Sequence, residues 1–173
     1  MALADAFVAV DKAQHDLKRF NCGKPDMDQF LARFAVKNDL LGISRTWVLP
    51  VTEGDDPLKK APVAAYYTLA SSTVTREEIP TDKTLPGYPV PVVLLARLAV
   101  DEQFKGQRLG EKTLITALRK AVELTDAGLP ALGLILDVLD EDALGFYQHY
   151  EIFEPFTDDP MRLFAPMAVI KQI

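Results

Sequence analysis

Apolar residues first recur at helical spacing in "GKPDMDQFLARFAVKNDLLG". Met27, Phe30, Leu31, Phe34 and Ala35 share one face, Pro25 stands near a first helical position, and Asp26 and Asp28 fall in a first turn. With Gly42 as a stop, this predicts an amphipathic helix. "TWVLPV" and "VAAYYTLASSTV" carry the β-branched and aromatic residues that suit a pleated surface, and the hydrophilic "TEGDDPLKKAP" between them predicts a hairpin. In residues 75–91 four prolines and a glycine exclude regular structure throughout, so this stretch is expected to run over the surface and to border a site or an interface. "VVLLARLAV" is nearly continuously apolar between Pro91 and Asp101; periodicity alone would allow a buried helix, but its length favours a central strand buried on both faces.

Residues 110–127 place Leu114, Ile115, Leu118 and Val122 on one helical face and end at Gly128 and Pro130, a helix stop. "LGLILDVL" reads as a second buried strand. "DEDALGFYQHY" opens with acids that suit a helix N-terminus, and "MRLFAPMAVI" reads as a last strand interrupted at Pro166. The succession is helix, hairpin, excursion, strand, helix, strand, helix, strand. Its strand–helix–strand portion demands a crossover with parallel pairing, and the early hairpin demands antiparallel pairing, so a mixed α/β sandwich is expected.

The 173 residues suit one domain over 1–173. Half the residues are hydrophobic (49%) and a quarter charged, which fits a globular chain; no run has the length of a membrane span. The start "MALADAFVAVDKAQHD" has no basic head or long apolar stretch, and a cytoplasmic location is expected. Cys22 is the single cysteine, and with only His15 and His149 beside it no metal-ligand spacing exists; it is expected to be inert or to cap. The net charge of −6 argues against non-specific nucleic-acid binding. The distribution qualifies this, because residues 121–173 hold 10 acids against Arg162 and Lys171 alone. Within residues 105–120, Lys105, Arg108, Lys112, Arg119 and Lys120 face one acid, Glu111, so this stretch is a local basic patch or simply a solvated helix face.

In "DEQFKGQRLG" a turn leads from the predicted strand into the predicted helix. Unpaired amides at a helix start, with the dipole behind them, can hold an anion such as a pyrophosphate, and Gly106 and Gly110 let backbone approach without a Cβ. Lys105 and Arg108 can add charge-assisted contacts. A plain tight turn is the alternative. The stretch has neither the P-loop pattern nor the dinucleotide G-x-G-x-x-G, so neither ATP hydrolysis nor NAD chemistry is indicated.

"RLAVDEQFKGQRLGEKTLITAL" resembles motif A of the GNAT superfamily of acyl-CoA-dependent N-acetyltransferases, in which Arg/Gln-x-x-Gly-x-Gly/Ala cradles the CoA pyrophosphate. The resemblance implies a mixed, mostly antiparallel sheet with splayed central parallel strands flanked by helices. It also implies acetyl-CoA as the acyl donor, with Lys105, Gly106, Gln107, Arg108, Leu109 and Gly110 as its pyrophosphate loop. Two positions depart from the pattern: Lys105 replaces Arg or Gln, and Arg108 replaces the first Gly, where a positive φ would suit a long side chain poorly. Backbone amides around Leu98, Ala99 and Val100 are the candidates for polarising the thioester carbonyl and binding pantetheine. "DVLDEDALGFYQHYEIFEPF" is similar to the closing segment of the superfamily, which implies that Tyr147 protonates the departing thiolate; Tyr150 is a possible confusion, and core packing of Tyr147 is the alternative.

"FNCGKPDMDQFLARFAVKNDLLGISRTWVLP" is similar to the N-terminal signature of GNAT toxins from bacterial toxin–antitoxin operons, and "AAYYTLASSTV" and "MRLFAPM" extend the likeness to nearly the whole chain. That likeness implies acetylation of the α-amino group of aminoacyl-tRNA, a homodimer and a ribbon-helix-helix antitoxin. An RNA-binding face would have to be assembled from Lys18, Arg19, Lys24, Arg33, Lys37, Arg45, Arg97 and the 105–120 patch. An enzyme for a small-molecule or protein amine, and a non-catalytic acyl-CoA-binding module, are the alternatives.

Overall fold

The structure is a computed structural model that describes residues 2–52 and 59–173. The chain divides into two compact units: residues 1–69 with 97–117, and residues 70–96 with 118–173. Two long strands and one helix pass from one unit into the other along the chain.

In the first unit, β1 (Val8–Ala9) pairs antiparallel with β3 (Arg45–Pro50), and β3 pairs antiparallel with β4 (Ala61–Val74). β2 (His15–Asp16) runs parallel to the start of β4. Thr46 and Thr68 lie opposite each other in the β3–β4 register, and their buried hydroxyls satisfy one another at 2.7 Å. The segment expected as the hairpin turn falls mainly outside the described residues.

The predicted first helix forms as α1 (Pro25–Gln29), a π-helical segment (Phe30–Phe34) and α2 (Ala35–Leu40). Pro25 occupies the start, where its missing N–H costs nothing, and Gly42 closes the end at φ 75°. Phe30, Leu31 and Ala35 are buried against Phe20 and Tyr66. Tyr66 lies edge-on to Phe20 at 5.3 Å, and its hydroxyl donates to the Met27 carbonyl at 2.6 Å, tying helix to strand. Phe34, expected on the buried face, is instead exposed, because the wider π turn rotates the following residues relative to a regular helix.

His15 is buried, and its Nδ1 accepts the Asp11 amide at 3.0 Å. Desolvation lowers its pKa, against the opposing pull of Asp11. The unfolded chain therefore binds this proton more readily than the folded one, and stability falls as pH drops below the ordinary value of about 6.5 toward the folded value. Thermal melts between pH 7 and pH 5 are expected to show this loss. His15→Gln, which keeps an acceptor, is expected to flatten it.

In the second unit, β5 (Val90–Val100) pairs parallel with β6 (Gly133–Asp137), as the crossover through α3 (Leu109–Ala127) requires. This pairing holds at two register positions, Val93 with Leu134 and Leu94 with Ile135, after which β5 continues toward Val100. β6 then pairs antiparallel with β8 (Arg162–Pro166), and β8 with β7 (Glu154–Pro155). The sheet is thus mixed and mostly antiparallel, as expected. The excursion holds no strand or helix over residues 75–89 but anchors itself through buried Ile79, packed with Val74, Val92 and Phe164.

The chain end corrects one expectation. The last strand stops at Pro166, and Met167–Ile170 form a one-turn helix, α5, rather than a continued strand. Pro166, at ψ 140°, makes the turn out of the strand, and Met167 and Ile170 bury one face. No helix among the described residues is long and apolar enough to cross a membrane.

Candidate active site

Each half of the predicted site sits in one unit and is described within it. In the first unit β5 ends at Val100, with Ala99 buried and Leu98 and Val100 half-buried. Asp101 follows and fixes the exit from the strand. Its carboxylate, buried at 9% exposure, accepts the Asn21 amide at 2.9 Å and the Gln103 amide at 3.0 Å. Its own N–H donates to the Ala64 carbonyl at 2.8 Å, and the Glu102 N–H donates to Asn21 at 2.9 Å. A 310 Å³ cavity beside this junction is lined by Asn21, Val63, Asp101 and Phe104 among others. Asp101 does not stand out in the sequence, because one of its two partners, Asn21, lies 80 residues away. Asp101→Ala leaves two amides unsatisfied and is expected to lower unfolding stability by about 2–3 kcal/mol, measured by urea denaturation.

After the 3₁₀ turn (Glu102–Phe104), Lys105 is extended and Gly106 takes φ 86°. A Cβ at Gly106 would touch nothing within 4 Å, so the glycine is required by conformation and not by space. Arg108 takes φ 58°, the left-handed conformation that the glycine of the family pattern would adopt without strain. α3 then starts at Leu109, and the Lys112 amide makes the bond to Arg108 O at 3.1 Å that closes its first turn. The amides of Leu109, Gly110 and Glu111 precede any helical carbonyl partner, which is the anion-binding end of the helix. Leu109 is buried at its root, and Thr113, also buried, donates its hydroxyl to the Leu109 carbonyl at 2.6 Å.

The charges around this loop are unevenly engaged. Lys105 Nζ donates to the Cys22 carbonyl at 2.8 Å, which holds the 20–23 segment. Lys120 pairs with Glu123 at 3.2 Å, whereas Arg108, its side chain 90% exposed, is 4.0 Å from Glu111. Arg97 lies over the Phe30 ring at 4.9 Å. Cys22 is buried, its amide donating to Asp28 at 2.9 Å, and burial pushes its thiol up to about 11. A thiol so raised is a poor nucleophile, in keeping with the inert role expected of it.

In the second unit α4 (Glu141–Gln148) carries Tyr147. Asp140 caps the helix, its carboxylate accepting the Ala143 amide at 2.9 Å. The Tyr147 ring, 8% exposed, meets Phe146 edge-on at 5.1 Å and Phe153 at 5.8 Å. Burial raises its pKa above the ordinary phenol range, so it stays protonated at neutral pH. Among the described residues its hydroxyl has no hydrogen-bond partner, which leaves it available as a donor. Tyr150 follows the helix in a turn and packs edge-on to Phe146 at 5.6 Å and to His149 at 5.2 Å.

No family model matches the chain. A tRNA-acetylating toxin of Mycobacterium tuberculosis (strain ATCC 25618 / H37Rv) is 34% identical over 155 residues, covering 88% of this chain and 86% of the relative. The chain belongs to the GNAT-type tRNA-acetylating toxins. Among solved structures, AtaT complexed with acetyl-methionyl-tRNAfMet superposes with a TM-score of 0.83 at 28% identity, over 98% of both chains. A tyrosine-to-phenylalanine variant of AtaT, bound to the C-terminus of the antitoxin AtaR and acetyl-CoA, superposes with a TM-score of 0.79 at 26% identity, over 99% of this chain and 98% of that one. These toxins share the mixed sheet and flanking helices described above.

Proposed function

We propose that this protein transfers the acetyl group of acetyl-CoA to the α-amino group of aminoacyl-tRNA and thereby arrests translation. The supporting observation is the likeness to the tRNA-acetylating toxin along most of both chains. The whole chain, residues 1–173, acts as one catalytic domain in the cytoplasm, as a homodimer, and is neutralised by a ribbon-helix-helix antitoxin. Lys105, Gly106, Gln107, Arg108, Leu109 and Gly110 hold the pyrophosphate through backbone amides and the Arg108 charge. Lys105, held by Cys22, acts chiefly by fixing the loop. Amides of Leu98, Ala99 and Val100 orient pantetheine and polarise the thioester carbonyl.

The α-amino group titrates near 7.7–8.0, against about 10.4 for a lysine side chain, so much of it is neutral at cellular pH and needs no strong base. Its nitrogen attacks the thioester carbonyl, and the ammonium proton leaves to water. The tetrahedral intermediate then collapses, the C–S bond breaks, and the sulfur takes the Tyr147 hydroxyl proton as it leaves. The phenol is regained from solvent.

Purified protein incubated with radiolabelled acetyl-CoA and charged tRNA is expected to place label on the amino acid, released by mild base as N-acetyl amino acid. Label on free polyamines or aminoglycosides, with none on charged tRNA, would reverse the conclusion.

A further inference from the structure

The bond that holds Lys105 has a second end, and that end is the mouth of α1. All the groups involved lie in the first unit. Lys105 Nζ donates to the Cys22 carbonyl at 2.8 Å, and the Cys22 amide donates at 2.9 Å to the carboxylate of Asp28, a residue of α1. Two further bonds join the same turn to the strand exit: the Asn21 amide donates to Asp101, and the Glu102 amide to the Asn21 carbonyl, both at 2.9 Å. A Cβ on Gly23, which sits at φ 86°, would stand 2.5 Å from Glu102 Oε1 and 3.9 Å from Lys105 Nζ, so those two side chains close over the turn. Residues 21–23 are thus gripped from residues 101–105 on one side and from α1 on the other.

The helix so held returns to the same strand. Phe30 and Leu31, which follow α1 directly, pack in one buried cluster with Ala99, and Arg97 lies over the Phe30 ring at 4.9 Å. A ring therefore closes: β5, the turn after it, residues 21–23, α1, and β5 again at residues 97–99. Close-packed interiors pass a displacement from one member to the next. Lys105 stands where the family pattern has Arg or Gln, but its charge is directed within this ring. Among the described residues it enters no ion pair, and its ammonium has no hydrogen-bond acceptor besides the Cys22 carbonyl.

We propose that Lys105 is a positioning residue for acyl transfer, setting α1 against strand residues 97–99 through Cys22 and Asp28. The inference rests on the acetyl-transfer reading above and gives Lys105 a part in it other than phosphate contact. Residues 98–100 orient the thioester in that reading, and a small misplacement of reacting groups is costly in rate. A lost charge-assisted bond is worth about tenfold. The loss is expected in turnover, for any thioester donor, and not in the hold on the CoA phosphates.

Lys105→Met keeps the apolar stem and removes the donor. With charged tRNA as acceptor it is expected to lower kcat about tenfold while changing KM for acetyl-CoA less than about threefold, and Lys105→Arg is expected to recover most of the loss. The same fall in kcat is expected with S-acetylpantetheine, which has no pyrophosphate. Asp28→Ala cuts the other end of the link and is expected to give the same fall, and the double variant Lys105→Met, Asp28→Ala to fall no further than either alone, as members of one chain do. Amide hydrogen exchange over residues 25–34 is expected to quicken in Lys105→Met, with residues 109–127 unchanged. A defect seen with acetyl-CoA and absent with S-acetylpantetheine makes Lys105 a phosphate contact and overturns the proposal. A lowered melting temperature with wild-type kcat makes the link structural alone and overturns it as well, as does a double variant whose losses multiply. Absence of wild-type acetylation of charged tRNA overturns the reaction instead; hydrogen exchange then decides the positioning, and unchanged exchange over residues 25–34 overturns it.

Discussion

Tyr147→Phe is expected to lower the rate of acetyl transfer by about 10²–10⁴-fold, the usual range for loss of a positioned general acid. Acetyl-CoA binding and thermal stability are expected to stay close to wild type. The separation follows from how the residue is held. The ring's edge contacts with Phe146 and Phe153 are available to phenylalanine equally, and the hydroxyl has no hydrogen-bond partner among the described residues that its removal would orphan. A tyrosine that served packing alone would show the reverse, a near-normal rate. Burial raises the phenol pKa, so deprotonation of Tyr147 should not limit the rate anywhere below pH 10. The single-turnover rate against pH, for wild type and variant, measures both points. Tyr150→Phe separates the two tyrosines of "FYQHY": lying outside α4 in the turn, it is expected to retain most of the activity.

Features set by neighbouring residues were legible in the sequence, and features set by distant ones were not. Pro25, Gly42, Gly106 and the acids ahead of Ala143 act on backbone within a turn of themselves, so their roles could be read directly. The run from Val92 to Val100 announced a strand because apolar continuity is a local property, but of its residues only Val92, Leu95 and Ala99 are buried and the rest are half-buried, short of the burial on both faces expected. The π-helical segment escaped notice, since apolar spacing does not reveal an added residue in one turn; Phe34 was misplaced as a result. β1 and β2 have two residues each, too few to show any period. "MAVI" looks β-forming by composition, yet Pro166 redirects the chain and a short helix buries Met167 and Ile170. In the candidate site, the turn over residues 105–110 could be outlined because its conformation is written in consecutive residues. Asp101 could not, because its value lies in reaching Asn21. The same holds for surface charge: residues 105–120 look most basic along the chain, but Lys105 and Lys120 are engaged, while Lys12, Lys18, Arg33, Lys37 and Lys60, scattered in sequence, line one groove.

Arg108→Glu is expected to raise KM for acetyl-CoA by about 100-fold, and Arg108→Gly by about tenfold, with opposite signatures in stability. At φ 58° a side chain costs about 1–2 kcal/mol that glycine does not, partly offset by the larger freedom glycine loses on folding. Arg108→Gly should therefore be as stable as wild type or up to about 1 kcal/mol more so, seen as a melting temperature unchanged or a few degrees higher. The wild-type chain carries that strain without an evident structural return, since the guanidinium is exposed and its approach to Glu111, at 4.0 Å, is a pair of the kind that stabilises little. A charge kept at a conformational cost beside unpaired helix amides is best used on an anion. Removing it forfeits one charge-assisted contact, worth about 1.5 kcal/mol and hence about tenfold, and reversing it adds repulsion of similar size. Both effects should shrink as salt is raised. S-acetylpantetheine, which lacks the pyrophosphate, serves as the control: the three proteins should use it with the same KM, so that any difference among them with acetyl-CoA belongs to the phosphates. Equal KM values with acetyl-CoA itself would mean that the loop holds its anion by backbone alone and that Arg108 is strain without a ligand.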